Sequence, residues 1–123
     1  LHQVVSDECS HTSEQEEPFY MLSLTVNNKA NVHQALSLYV EGDRLDGDNR
    51  YMCAGCQGKV AALKRTCFDG NSLPQTLILH LKRFTFDFDT MRKNKVNDRF
   101  EFPEILSVEP FTKQYVCFSL TLP

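Results

Sequence analysis

The stretch "YMCAGCQGKVAALKR", residues 51–65, carries two cysteines, Cys53 and Cys56, separated by two residues. Two thiolates at this spacing can chelate one metal ion, and a closed zinc site needs four ligands. The flanking residues predict a hairpin, in which Gly55 and Gly58 help the backbone fold around a metal. Two other interpretations stay open, a redox pair at the start of a helix and two small structural residues.

The candidates for the missing ligands lie upstream, in "SDECSHTS". Cys9 and His11 would complete a Cys₃His set with Cys53 and Cys56, which is an accepted tetrahedral zinc site. This requires the two segments to be neighbouring strand ends, and the alternative is that His11 is a solvated loop residue. The other two cysteines, Cys67 and Cys117, stand in apolar runs, so we interpret them as core thiols.

The composition fits one modest globular domain. The chain has 123 residues, of which 41% are hydrophobic and 24% charged, enough for a single core. Its net charge of −3 argues against a nucleic-acid partner, and no apolar run approaches the roughly 20 residues of a membrane span. Five cysteines without regular spacing predict reduced thiols, and hence an intracellular protein of the cytoplasm, the nucleus or both.

One amphipathic helix stands among predicted strands. Its apolar residues recur at a period of 3.6, Asn31 is a suitable N-cap and Gly42 can end the helix. Its apolar stripe is Val32, Ala35, Leu36, Tyr39 and Val40.

Strands are predicted from β-forming residues and turn signals. Residues 6–18 and 87–98 are predicted loops, and residues 59–68 fit either a strand or a helix. The resulting order predicts an α+β fold with mainly antiparallel strands. The predicted strands are 19–26, 73–86, 99–106 and 115–122.

Several of these segments together resemble the catalytic domain of the ubiquitin-specific proteases, which are papain-like cysteine deubiquitinases. They cover most of residues 15–107, and the pair "LILHLKRF" and "NDRFEFP" is the most specific part. The matching stretches are "EEPFYMLSLTV", "LSLYVEGDRLDGDNRYMCAGC", "KVAALKR", "LPQTLILHLKRF" and "VNDRFEFPEIL".

The resemblance implies part of a fold of thumb, palm and fingers. Residues 1–17 and 43–70 would form the fingers, a β-ribbon with a zinc site, and residues 18–42 and 71–123 would belong to the palm. Fingers in this family carry two C-x-x-C pairs, and Ser6 stands where one of those cysteines is expected. Either His11 rebuilds the site as Cys₃His, or the metal is lost and packing holds the ribbon.

The resemblance also implies that the catalytic residues lie in other segments of a longer protein. The family's nucleophilic cysteine precedes the matched segments and its general-base histidine follows them, so we expect no catalytic residue in this chain. The start at Leu1 and the end on "FSLTLP" likewise lead us to expect a fragment. The parent would cleave the isopeptide bond after the C-terminal glycine of ubiquitin, and the isolated fragment, with open strand edges, would tend to self-associate.

The ubiquitin contacts implied by the resemblance lie around "LKRF". Arg83 and Phe84 would line the path of the ubiquitin tail, and Asp87 and Asp89, on a mobile loop over residues 85–98, would face its arginines. The alternative for Phe84 is packing in the core.

Two other functions stay open at this point. One is a non-catalytic ubiquitin-binding module or pseudoenzyme. The other is a small zinc-ribbon protein that binds nucleic acid or another protein.

Overall fold

The computed structural model describes residues 1–116. In this part of the chain one α-helix stands among ten strands, and two short 3₁₀ turns lie at Gly47–Asn49 and Glu109–Phe111. The elements are β1 (His2–Ser6), β2 (Thr12–Gln15), β3 (Leu22–Thr25), α1 (Val32–Glu41), β4 (Asp43–Leu45), β5 (Tyr51–Cys53), β6 (Gly58–Val60), β7 (Ala62–Thr66), β8 (Leu79–Lys82), β9 (Phe84–Asp87) and β10 (Arg92–Lys95).

A four-stranded antiparallel sheet is built from the first 15 residues and from residues 43–66. Its strand order is β2-β1-β7-β4, and β1 pairs with β7 so that His2 lies opposite Thr66 and Ser6 opposite Ala62. The short β5–β6 ribbon precedes β7 in the chain and pairs Cys53 with Gly58. All these strands fall within residues 2–15 and 43–66.

The helix forms where the apolar period predicted it. The side chain of Asn31 accepts the backbone N–H of Gln34 at 2.9 Å, and the Gln34 side chain accepts the N–H of Ala30 at 2.8 Å, so two N-terminal donors are satisfied. The helix ends at Gly42, whose φ of +81° and ψ of 178° favour glycine. A Cβ there would also lie 2.5 Å from the carbonyl oxygen of Lys64, so the site excludes larger residues.

The main core lies between α1 and a second, two-stranded sheet. In that sheet β3 and β8 run parallel, with Leu22 opposite Leu79 and Thr25 opposite Lys82. The helix stripe packs in this core together with residues of β3 and with Phe68 and Phe111. One helix among mostly antiparallel strand pairs confirms the predicted α+β class. The buried core residues are Leu22, Leu24, Val32, Ala35, Leu36, Phe68 and Phe111.

The prediction of one long buried strand over residues 73–86 is wrong. Only Leu79–Lys82 pairs with β3, and its residues alternate between half-buried and exposed. The chain then continues into β9, which pairs with β10 in an antiparallel hairpin. The predicted loop over residues 87–98 therefore contains β10. The turn between β9 and β10 ends at Met91, which has a left-handed backbone with φ +54°.

Three further predictions are corrected or limited. The predicted loop over residues 6–18 contains β2, whose four residues are all exposed and carry no apolar pattern. Residues 99–106 form no strand: Glu101 makes one isolated bridge to Asn31, and Phe102 is 78% exposed. The predicted strand over residues 115–122 begins with helical backbone at 115 and 116, and the rest of it lies outside the described residues.

Within residues 1–116, no helix has the length and apolarity needed to cross a membrane.

Candidate metal centre

Four predicted ligands converge at one end of the four-stranded sheet. Cys9 and His11 stand in the loop between β1 and β2, and Cys53 and Cys56 stand at the turn of the β5–β6 ribbon. One ligand atom from each of the four lies within 4.8 Å of all the others. The pairing of β1 with β7, which directly follows the ribbon, brings the two segments together.

The spacing of the ligand atoms fits a tetrahedral ion. The Sγ atoms of Cys9 and Cys53 are 3.6 Å apart, and Nδ1 of His11 lies 3.3 Å from Sγ of Cys9 and 4.0 Å from Sγ of Cys56. In a tetrahedron with zinc-like bond lengths, two sulfurs are about 3.8 Å apart and a sulfur and a nitrogen about 3.6 Å. The four residues therefore fit a four-coordinate metal bound through Nδ1 of the histidine.

Ser6 orders the loop that carries Cys9 and His11. Its hydroxyl accepts the backbone N–H groups of Glu8 at 3.3 Å and Cys9 at 3.2 Å, and its own N–H donates to the carbonyl of His11 at 3.2 Å. These bonds close a tight turn between β1 and β2. Ser6 therefore takes no place in the ligand cluster but sets the conformation from which Cys9 and His11 reach it.

The same loop is attached to the opposite segment by polar contacts. The N–H of Asp7 donates to the carbonyl of Ala61 at 2.9 Å, and the N–H of Ala61 donates to the carboxylate of Glu8 at 3.2 Å. Asp7 also forms an ion pair with Arg44 of β4. These contacts fix the loop against the ribbon and preorganise the ligands.

Gly55 makes room for the imidazole, a role that the sequence did not indicate. A Cβ on Gly55 would lie 2.2 Å from Cε1 and Nε2 of His11, which is well inside van der Waals contact. The left-handed residue of this turn is Gln57, with φ +52°, whereas a Cβ on Gly58 would meet only ordinary contact. Gly55 is therefore needed for space at the His11 ring. That both glycines help the backbone fold around a metal stays a prediction.

The cysteines of the cluster differ in acidity because they share hydrogen bonds. Hydrogen bonds from the Cys56 side chain and the Ser6 hydroxyl lower the pKa of Cys9 to about 6. The hydrogen bond to Cys9 raises the pKa of Cys56 to about 12. These hydrogen bonds favour the thiolate form of Cys9, and the thiolate is the form in which cysteine binds a metal.

The geometry favours metal binding over two other kinds of chemistry. A redox pair would begin a helix, but Cys53 ends β5 and Cys56 lies in a hairpin turn. Cys9 and His11 are close enough for a nucleophile and its base, yet a hydrolase dyad also needs oxyanion donors. Here the neighbours of this pair are the sulfurs of Cys53 and Cys56, which are suited to bind a metal.

Arg83, one of the predicted ubiquitin contacts, makes several contacts within the chain. Its Nη1 donates to the carbonyl oxygens of Asp98 at 2.6 Å and Val96 at 3.4 Å. Its guanidinium lies 5.9 Å from the ring centre of Phe100. Arg83 therefore holds the segment after β10 against β8.

The other three predicted contacts lie on the β9–β10 hairpin. The carboxylate of Asp87 accepts the N–H groups of Asp89 at 2.9 Å and Thr90 at 3.3 Å, and hydrogen bonds, above all from the Thr90 side chain, lower its pKa. Asp87 therefore stabilises the turn, whereas Asp89 and Phe84 are exposed, Phe84 to 68%. The structure thus excludes core packing for Phe84.

The ubiquitin carboxyl-terminal hydrolase family model matches residues 2–119 of the chain. The probable ubiquitin carboxyl-terminal hydrolase FAF of Drosophila melanogaster is 40% identical over 110 residues, which cover 89% of this chain and 4% of that protein. The human ubiquitin carboxyl-terminal hydrolase 34 is 40% identical over 113 residues, covering 92% and 3%. The chain therefore spans only a few per cent of the length of these relatives.

A solved structure has the same fold over most of the chain. It is described as the SAGA Ubp8/Sgf11/Sus1/Sgf73 DUB module bound to ubiquitin aldehyde. The match has a TM-score of 0.78 and 26% sequence identity, and it covers 91% of this chain and 24% of the matched one.

Substitution of Gly55 by alanine should displace the His11 ring and weaken metal binding. We expect Gly55→Ala to lower the affinity for Co²⁺, titrated by its visible absorption, by about ten-fold or more. Gly58→Ala is the matched control, because its added Cβ meets no close neighbour. Equal affinities for the two variants would contradict the placement of the imidazole over Gly55.

Proposed function

Because this chain belongs to the ubiquitin carboxyl-terminal hydrolase family, we propose that it is the ubiquitin-binding part of a deubiquitinating cysteine protease. The parent protein would cleave the isopeptide bond after the C-terminal glycine of ubiquitin. The observation that carries this proposal is the match over nearly the whole chain to a structure described as bound to ubiquitin aldehyde. The substrates would be ubiquitinated proteins of the cytoplasm or nucleus.

The division into fingers and palm is part of the proposal. Strand pairing supports it, because β1, β2, β4, β5, β6 and β7 pair only among themselves in the described part of the chain. These strands fall in the proposed fingers, residues 1–17 and 43–70. The strands β3, β8, β9 and β10 fall in the proposed palm, residues 18–42 and 71–123.

The catalytic groups are proposed to lie elsewhere in the parent protein. Cys9, Cys53 and Cys56 converge in the metal centre, and Cys67 is buried, with 2% of its surface exposed. The Cys67 thiol donates to the side-chain oxygen of Gln3 at 3.7 Å, and a buried structural thiol is a poor nucleophile. The chain would then bind ubiquitin while other segments supply the nucleophile and its base.

Zinc is the metal that the ligand set fits best. Three thiolates and one imidazole form a closed, structural type of site, and such soft ligands select against magnesium and calcium. Cys9, His11, Cys53 and Cys56 would hold the ion, which supplies a cross-link between the β1–β2 loop and the ribbon and takes no part in the reaction.

We expect protein purified without added zinc to contain about one zinc ion per chain, as structural sites bind zinc tightly. His11→Ala should lower this content, since it removes one of four ligands, and His33→Ala, at an exposed helical position, is the control. Elemental mass spectrometry measures the result. Zinc retained in full by His11→Ala would exclude His11 as a ligand, and its absence from the unsubstituted protein would show that packing alone holds the ribbon.

The parent protein should hydrolyse a fluorogenic ubiquitin C-terminal amide, whereas the 123-residue chain should bind ubiquitin without hydrolysing it. This outcome follows from a binding surface without a complete nucleophile and base. Activity of the chain alone would contradict the placement of the catalytic groups. Binding without hydrolysis by the parent would establish the alternative function, a non-catalytic ubiquitin-binding module.

Phe84 is the proposed ubiquitin contact that is accessible and has no internal role in the structure. We expect Phe84→Ala to weaken ubiquitin binding about five-fold or more, as loss of an aromatic interface anchor does. Phe102→Ala, at a residue 78% exposed in another segment, is the matched control. Calorimetry measures both, and equal affinities would remove Phe84 from the ubiquitin surface.

A further inference from the structure

The β9–β10 hairpin carries a positive charge that the rest of the chain lacks. Six of the 13 lysines and arginines lie within residues 82–99, together with three of the 16 acidic residues. This segment therefore has a net charge of +3, whereas the remainder of the chain has −6, for a total of −3. Three of these cations, Arg92, Lys93 and Lys95, lie on β10, which has no acidic residue. A strand of this composition is suited to an anionic partner.

One face of the hairpin combines lysines with phenylalanines. Lys93 lies opposite Phe86, and Lys95 lies opposite Phe84, and residues directly opposite each other share a face of the sheet. All four are exposed, Phe84 to 68% and Phe86 to 43%. The two rings and the two lysines therefore share one exposed face of the hairpin, which offers both apolar and cationic contacts to a partner.

The cations of β10 have no ion-pair partner among the described residues. The ion pairs found there involve His2, Arg44, Arg99 and Lys113. Asp87 lies opposite Arg92, but it is occupied by the turn and stands on the face away from Lys93 and Lys95. These two lysines are therefore available to an external acid.

The backbone of β10 presents a free edge. Within residues 1–116, β10 pairs with β9 and with no second strand. An edge strand leaves a row of N–H and C=O groups that can pair with an extended segment. The four side chains of β10 are all exposed, so nothing in the described chain covers this edge.

We propose that β10 binds an extended acidic peptide by strand addition. Acidic residues at alternate positions of the peptide would face Lys93 and Lys95, because side chains two apart share a face of a strand. The peptide backbone would pair with the free edge, and opposite charges on neighbouring strands stabilise the pairing. Single-stranded nucleic acid is disfavoured, because the negative remainder of the chain opposes a polyanion longer than the hairpin.

This proposal goes beyond the proposed hydrolase function. The peptide surface shares Phe84 with the proposed ubiquitin surface, but it rests on Lys93, Lys95 and the free edge of β10, so its test leaves Phe84 unchanged. The test uses the full protein and a fluorescein-labelled peptide of about ten residues that alternates threonine and glutamate, in about 50 mM salt so that charges are little screened. The comparison probe is the same peptide with every backbone amide N-methylated. This keeps the charge but removes the donors towards both strand edges, because alternate amides of a strand point to opposite edges. Fluorescence anisotropy measures both affinities.

The protein variants separate this site from general electrostatic attraction. We expect Lys93→Glu combined with Lys95→Glu to weaken binding about ten-fold or more. The matched control combines Arg50→Glu with Lys59→Glu, which changes net charge equally at exposed residues away from the hairpin. Circular dichroism verifies folding, and Lys93→Gln with Lys95→Gln replaces the first pair if it unfolds.

Binding that is lost in the hairpin variant, kept in the control and weakened about ten-fold by N-methylation supports the proposal. Absence of binding, or equal losses in the two variants, overturns it. Equal binding of the N-methylated peptide overturns strand addition. Tighter binding of an oligothymidylate of similar length through the same lysines would replace the peptide by nucleic acid as the partner.

Discussion

The convergence of Cys9, His11, Cys53 and Cys56 is the constraint on which the tip of the four-stranded sheet depends. Cys9 and Cys53 are 44 residues apart in the chain and 3.6 Å apart at sulfur. Burial covers only part of the cluster, since Cys53 is buried whereas Cys56 is exposed, and isolated two-stranded ribbons are marginally stable. The tip is therefore held by directional contacts, which include the turn around Ser6 and the pairing of the β1–β2 loop with Ala61.

The two halves of the fold are stabilised by different means. Around α1 the apolar stripe packs on β3, and the buried leucines and valines supply the free energy in the usual way. The four-stranded sheet instead buries polar groups such as Gln3, which is 1% exposed and bonds to Glu14 and Arg65. Substitution of a buried polar group is costly because its hydrogen-bond partners are then left buried without a hydrogen bond. Substitutions at the buried polar positions of this sheet should thus cost more stability than the modest hydrophobicity of the sheet suggests.

Features with a local chemical cause could be predicted from the sequence. The helix follows from its apolar period and its cap at Asn31, and the ligand set follows from a C-x-x-C pair and the nearest Cys-x-His. β2 and β10 could not be predicted, because every residue in both is exposed and no alternation marks them. The role of Gly55 depends on its contact with the ring of His11, which is distant in the sequence. The local sequence around Gly55 therefore does not indicate this role.

The pairing of β1 with β7 also affects how the chain reaches its native state. His2 and Thr66 lie 64 residues apart, and a large loop must close before their hydrogen bonds form. Contacts of such sequence separation slow folding, whereas α1 can form early from neighbouring residues. β1 can pair early with the neighbouring β2, but its other edge stays open until β7 has been synthesised. An open strand edge of this kind can pair with another chain.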